Sequence, residues 1–256
     1  MLLSKKKIII IGGGGSLGQA AVRSFIEQGA EVIVADQVVN DILFIHPKVN
    51  YLKIDATEES DLQIVIHTAH HQWGSIDGLY HIAGGSGRKH GDGPLHEMKM
   101  DGWQYTLKLN LTSVMISNKA VIQYWLEHKS YGSIVNVGSV LAFSPAPHFF
   151  TTHAYAAAKA GIEGFSKSIA SYYSGHNIRI NVISPGLIAT NMSIRAQQDV
   201  AIISYIKTKQ PLDGGRIGAP EDCVGAALYL LSDLSSFVTG QVIAIDGGWE
   251  LNEGQW

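Results

Sequence analysis

Lys7-Ile8-Ile9-Ile10-Ile11 runs directly into Gly12-Gly13-Gly14-Gly15-Ser16-Leu17-Gly18, and a helix-forming stretch follows. An unbroken apolar run of this length reads as a strand buried on both faces. The glycines behind it allow a tight turn, and without Cβ atoms they let a pyrophosphate approach the backbone. The next helix would present its free N–H groups to that anion. Gly18 permits close packing of helix on strand. A glycine cluster alone is only a flexible turn. Its place after the first strand of an alternating chain assigns Gly12, Gly14, Gly15, Ser16, Leu17 and Gly18 to a dinucleotide.

That alternation continues to the end of the chain. Further strands are predicted at 31–36, 49–54, 76–82, 132–137, 178–183 and 241–245, after the first at 7–11. Amphipathic segments near 17–28, 58–73, 101–128, 154–175 and 220–231 separate them. Regular strand–helix alternation implies right-handed βαβ units and a parallel sheet. No repeat or linker divides residues 1–256, which read as one dinucleotide-binding and catalytic domain. Irregular stretches at 84–96 and 144–153, and a mobile helical insert near 188–212, fall where ligands bind, beyond the carboxyl ends of strands.

Composition supports a compact fold. The 256 residues are 46% hydrophobic and 16% charged, too apolar for a disordered chain. A net charge of −3 argues against nucleic acid or an anionic membrane as partner. The single cysteine, Cys223, excludes an internal disulfide framework and cysteine zinc sites. The first apolar run stops at Gly12, too short for a signal peptide, and no stretch is long enough to span a bilayer. A cytoplasmic protein is expected. The 28 glycines exceed what turns alone require.

Asp36 ends the second strand, where a carboxylate accepts hydrogen bonds from ribose hydroxyls and repels a 2′-phosphate. No Lys or Arg lies in the glycine turn or just after Asp36, so NAD is expected over NADP. Gln37 follows at the same edge, and Asp55 with Ala56 closes the third strand, within reach of the adenine. Tyr155-Ala-Ala-Ala-Lys159 opens a later helix, and its i,i+4 spacing puts phenol and ammonium on one face. A phenol titrates near 10, too high for acid–base work at neutral pH, and a nearby ammonium lowers it. Ser139 sits at the end of the preceding strand.

With these residues in place, the sequence resembles the short-chain dehydrogenase/reductase family in its small single-domain form. The resemblance runs from Lys7 to Trp249 and takes in Ala83-Gly84, Asn110, Pro185-Gly186 and Ile245-Asp246-Gly247-Gly248. It implies a Rossmann-type, doubly wound, mostly parallel seven-stranded sheet, order 3-2-1-4-5-6-7, with helices on both faces. It implies that Tyr155 is the general acid/base, that Lys159 tunes it and holds the nicotinamide ribose, and that Ser139 holds the substrate oxygen. Asn110 would orient a water linking Lys159 to solvent. Ala83 and Gly84 would let the cofactor pass, and Pro185, Gly186, Ile188 and Thr190 would line its nicotinamide end. A homo-oligomer, dimer or tetramer, is implied too.

Three departures stand out. Ser16 replaces the middle glycine of the turn, so a Cβ and a hydroxyl must fit near the phosphates. The family's Asn-Asn-Ala-Gly is His81-Ile82-Ala83-Gly84, and Ile82 should weaken a backbone brace across the sheet. The interval from Ser139 to Tyr155 is long, with the extra residues between Ser144 and His153.

Other features carry less. His67 and His71 share a helix face but lack a third ligand, so no metal site is expected. His90, His96, His148 and His153 read as loop histidines, and Phe149 and Phe150 as wall or packing residues. Arg88, Lys89, Asp92 and Arg195 do not converge on one substrate from sequence alone. The tail 250–256 ends in Trp256, suited to a neighbouring subunit. The leading reading is an NAD-dependent oxidoreductase interconverting a secondary alcohol and a ketone. The alternatives are enoyl C=C reduction, which the four-residue Tyr155–Lys159 spacing disfavours, and a non-catalytic NAD(H) sensor, which would not need that pair.

Overall fold

A computed structural model describes residues 1–39 and 44–255, so the expectation for Trp256 lies outside the described residues. The strands are β1 (Lys7–Ile11), β2 (Glu31–Asp36), β3 (Val49–Lys53), β4 (Gly78–His81), β5 (Ser133–Val137), β6 (Arg179–Pro185) and β7 (Val242–Ile245). They form one sheet in the order β3-β2-β1-β4-β5-β6-β7, and every pairing is parallel. The expected fold class and strand order are those observed.

The isoleucine run explains itself in this arrangement. Alternate residues of a strand point to opposite faces. Ile8 and Ile10 join Val22 and Phe25 of helix α1 (Ser16–Glu27) and Leu230 of α8 (Val224–Leu231) in one core. Ile9 and Ile11 join Leu62 and Val65 of α2 (Glu59–Trp73) and Val121 and Trp125 of α4 (Ser113–Glu127) in the other. Each fully buried isoleucine contributes about 1.5–3 kcal/mol of transfer free energy, so β1 anchors both layers. Cys223 is buried just before α8.

The helix expected at 101–128 is a rod in three parts: α3 (Met100–Leu107), a π-helical turn Lys108–Thr112, and α4. The wide turn has Asn110 at its centre, fully buried. Helix α5 (His153–Tyr173) follows the irregular segment after β5. The insert after β6 holds two helices, α6 (Ile194–Gln198) and α7 (Val200–Lys209). A separate small core unites it with the segment before α5: Ala146, Ala196, Ile202, Tyr205, Ile206 and Trp249. No helix among the described residues is long and apolar enough to cross a membrane.

Around Ile82 the exit of β4 is held by several hydrogen bonds. The Ile82 and Ala83 N–H groups both donate to Ile11 O, at 2.8 and 3.0 Å. The buried His81 ring ties β4 to α4, with Nδ1 2.7 Å from Ser117 Oγ and Nε2 3.3 Å from Ser113 Oγ. Behind it, Asn118 and Asn136 exchange amide hydrogen bonds at 3.0 and 2.9 Å.

Candidate active site

A cavity of about 730 Å³ opens at the carboxyl edge of the sheet. At one end lie Gly12, Gly14, Gly15, Ser16, Leu17 and Gly18, with Asp36, Gln37 and Ala56 beside them. Ala83, Gly84, Ser139, Tyr155 and Lys159 line the middle, and Pro185, Gly186, Ile188 and Thr190 the far wall. Asp55 and Asn110, both expected at the site, do not line it. Asp55 Oδ1 accepts from Thr57 N and Thr57 Oγ1, both at 2.8 Å, which holds its carboxyl below the usual range. Asn110 turns away: Nδ2 donates to Thr106 O at 2.8 Å and Gly85 O at 2.9 Å, while Oδ1 accepts from Gly85 N at 3.1 Å. It pins the strand exit at Gly84-Gly85.

The glycine turn is a cradle made by absent side chains. Gly12 has φ +84°, and a Cβ there would lie 2.4 Å from Ala83 N. A Cβ on Gly18 would lie 2.4 Å from Gly13 Cα, the close helix packing expected of it. Gly15 faces open space and caps α1 without a side-chain hydrogen bond, so the first N–H groups of the helix remain available. Ser16 is the first residue of α1, and its hydroxyl has no partner among the described residues. The Asp36 carboxylate accepts from Gly14 N at 2.8 Å and Val38 N at 3.0 Å, which fixes it at the turn. Open anion donors beside a ribose-height carboxylate fit a dinucleotide.

Ser139, Tyr155 and Lys159 come together as expected, with a different electrostatic balance. Ser139 lies two residues past the end of β5 and caps a short turn, its Oγ accepting from Leu141 N at 3.2 Å. Burial pushes the Tyr155 phenol up to about 12, and a hydrogen bond with the Ser139 hydroxyl pulls it the other way. The Lys159 ammonium sits over the Tyr155 ring, 5.5 Å from its centre, and donates to Val137 O at 2.7 Å. Buried there, Lys159 is itself pushed down to about 8. It keeps two hydrogens without an acceptor among the described residues, beside Gly84 at the cavity wall.

The substrate-side segments also meet at this cavity. Phe150 packs edge-on against Trp249, with ring centres 5.7 Å apart, and both line it. Asp92 is buried and turns inward: Oδ1 accepts from Ala154 N at 3.0 Å and Oδ2 from Tyr155 N at 3.1 Å, at the start of α5. It therefore ties the 84–96 segment to the helix bearing Tyr155. Sequence reasoning marked His81 only as a departure from the family pattern and did not assign Asp92 this role, because the partners of both lie far away in the chain. No group of residues that could hold a metal exists among the described residues.

Known proteins share this arrangement. A family model described as enoyl-(acyl carrier protein) reductase matches residues 12–250. The chain is 33% identical to a 3-oxoacyl-(acyl-carrier-protein) reductase of Thermotoga maritima, over 97% of this chain and 99% of the relative. It is 30% identical to a cis-4-hydroxycyclohexanecarboxylate dehydrogenase of Sinomonas cyclohexanicum, over 91% of this chain and 92% of the relative. A solved short-chain dehydrogenase from Leptospira borgpetersenii with bound NAD+ superposes with a TM-score of 0.87 at 30% identity, covering 96% of this chain and 93% of that one. Matched along nearly its whole length by sequence and by fold, the chain is a member of the short-chain dehydrogenase/reductase family of oxidoreductases.

Proposed function

We propose that the protein interconverts a secondary alcohol and a ketone with NAD as hydride carrier. The observation that carries this reading is the convergence of Ser139, Tyr155 and Lys159 on a cavity whose other end is the glycine cradle and Asp36. The bound dinucleotide supplies the hydride chemistry at its nicotinamide ring. Ser139 Oγ holds the substrate oxygen where charge develops. Tyr155 gives its phenol proton to that oxygen in reduction and takes it back in oxidation. Lys159 places its two free ammonium hydrogens where they hold a ribose and favour phenolate. Asn110 is a positioning residue that fixes the Gly84-Gly85 exit.

Preference for NAD follows from charge placement. Asp36 would face a 2′-phosphate, and the cations lining the cavity, Arg88, Lys159 and Arg195, lie away from the glycine turn. The test is an alcohol and ketone panel followed at 340 nm with both cofactors, alongside Tyr155→Phe. Loss of turnover by about 10²–10⁴-fold with NADH binding intact is the expected result. Robust activity in that variant overturns the role of Tyr155, and faster turnover with NADP overturns the reading of Asp36.

The description of the matching family model favours a second reading, C=C reduction of an enoyl substrate. The same panel, extended to an enoyl thioester, separates the two. A tight NAD(H) complex inert on every substrate instead indicates a sensor. The oligomer is part of the proposal: β7 is a half-buried edge strand, and Phe237 on the preceding segment is fully exposed. Light scattering of the purified protein reports whether a dimer or tetramer covers them.

A further inference from the structure

Two arginines that look unrelated in sequence meet at the mouth of the cavity. Arg88 lies on the segment after β4, and Arg195 on α6 after β6. Each donates to one backbone oxygen, Phe149 O: Arg88 Nη2 from 3.5 Å and Arg195 Nη2 from 3.0 Å. Phe149 belongs to the third substrate-side segment, just before α5. All three irregular segments thus converge on one carbonyl. Both guanidinium groups reach that one oxygen within 3.5 Å, and both line the cavity.

Two positive charges therefore face each other with no carboxylate in contact, and Asp92 offsets the charge of Arg88 only through space. A guanidinium stays charged and offers five N–H donors in a planar fork. A single neutral carbonyl takes one donor from each. No carboxylate among the described residues pairs with either side chain. Asp92, the acid on the Arg88 segment, has its two oxygens engaged by Ala154 N and Tyr155 N. That engagement also ties the Arg88 segment to the helix carrying the phenol, so the arginine pair and Tyr155 are held in one frame.

We infer that Arg88 and Arg195 form the anion clamp of the substrate site, and that the substrate is a hydroxy acid or keto acid whose carboxylate they grip while its alcohol or ketone carbon lies at Tyr155. This deepens the oxidoreductase reading above and rests on it. A carboxylate between two forks can take paired N–H···O bonds from each and neutralises the facing charges. The cavity wall also carries Leu141, Phe150, Met192, Ala196 and Trp249 for the carbon skeleton, beside polar Ser86, Asn191 and Ser193. The apolar side chains set the size of the substrate, and the clamp sets its charge and direction of entry.

The test has a turnover arm and a binding arm. For turnover, 3-hydroxybutyrate and 4-hydroxycyclohexanecarboxylate are each compared with their methyl esters. At least one acid is expected to exceed its ester by about tenfold or more in kcat/KM, and Arg88→Gln or Arg195→Gln should raise the acid's KM by about tenfold with little change for the ester. For binding, cyclohexanecarboxylate, which cannot react, is titrated calorimetrically into the protein–NADH complex. It should bind wild type and lose about tenfold in each variant. Binding that persists when no alcohol in the panel turns over supports the clamp and counts against the oxidoreductase reading. Failure of cyclohexanecarboxylate to bind, equal use of acid and ester, or variants that lose acid and ester alike overturns the clamp. Tighter binding of cyclohexyl phosphate than of the carboxylate overturns the carboxylic acid assignment in favour of a phosphate ester.

Discussion

The two ends of the cavity are shaped by opposite means. At the glycine turn the shape comes from missing side chains: a Cβ on Gly12 or Gly14 would meet backbone or Asp36 at under 3 Å. At the substrate end it comes from large side chains held by one another, with Phe149, Phe150, Tyr205 and Trp249 packed around Ala146 and Ala196. The first end rests on the sheet and both main cores. The second has its own small core, built from segments that the sheet does not order directly. A backbone cradle tolerates little added bulk at Gly12 or Gly14. A wall of side chains can be recut residue by residue while the fold stands, which suits a family whose members differ in substrate.

Substitutions at each end should therefore differ in size and kind. Gly12→Ala has the largest expected effect. The left-handed backbone and the contact with Ala83 N leave no room to relax, so about 3 kcal/mol of stability should go, roughly 6–12 °C in Tm, together with NADH binding. A variant that melts like wild type and binds NADH breaks the comparison. Phe150→Ala comes next. Half-buried, it should cost roughly 1–2 kcal/mol, less than a fully buried phenylalanine, and raise the substrate KM while leaving the cofactor Kd unchanged. Equal loss of cofactor affinity would show that the two ends are not separable. Ser16→Gly is the smallest. Its hydroxyl touches nothing among the described residues, so the Kd for NADH should shift by about twofold at most. A loss approaching tenfold would identify the hydroxyl as a phosphate donor and sharpen the account of the cradle.

Sequence legibility followed the same division. The first two strands lie at their expected bounds, and the glycine turn, Asp36, Ser139, Tyr155 and Lys159 all reach the cavity. Period and local chemistry are enough for such elements, because each signal is contained in a short stretch. The arginine clamp was not legible: Arg88 and Arg195 meet only through a carbonyl from a third segment. Asn110 was legible as a residue of interest, yet its amide is used to hold Gly85. The burial of the Tyr155 phenol also escaped, since i,i+4 spacing sets which face the pair shares but not how deeply that face is buried. His81 looked like a lost family residue, and only the fold reveals the serines on α4 that receive it.

That histidine gives the chain an acid limit. Burial holds the His81 imidazole neutral, its titration pushed from the ordinary 6.5 down to about 3. In the unfolded chain the ring takes up a proton near its ordinary value, well before the folded protein does. Stability from this residue is complete above about pH 6.5 and drains away as the pH falls toward about 3, by up to about 1.4 kcal/mol per pH unit. Melting curves between pH 7 and pH 4 should therefore slope more steeply for the native protein than for His81→Asn, and parallel slopes would remove His81 as the cause. The residue that ties β4 to its helix is thus also where acid is expected to act on the fold.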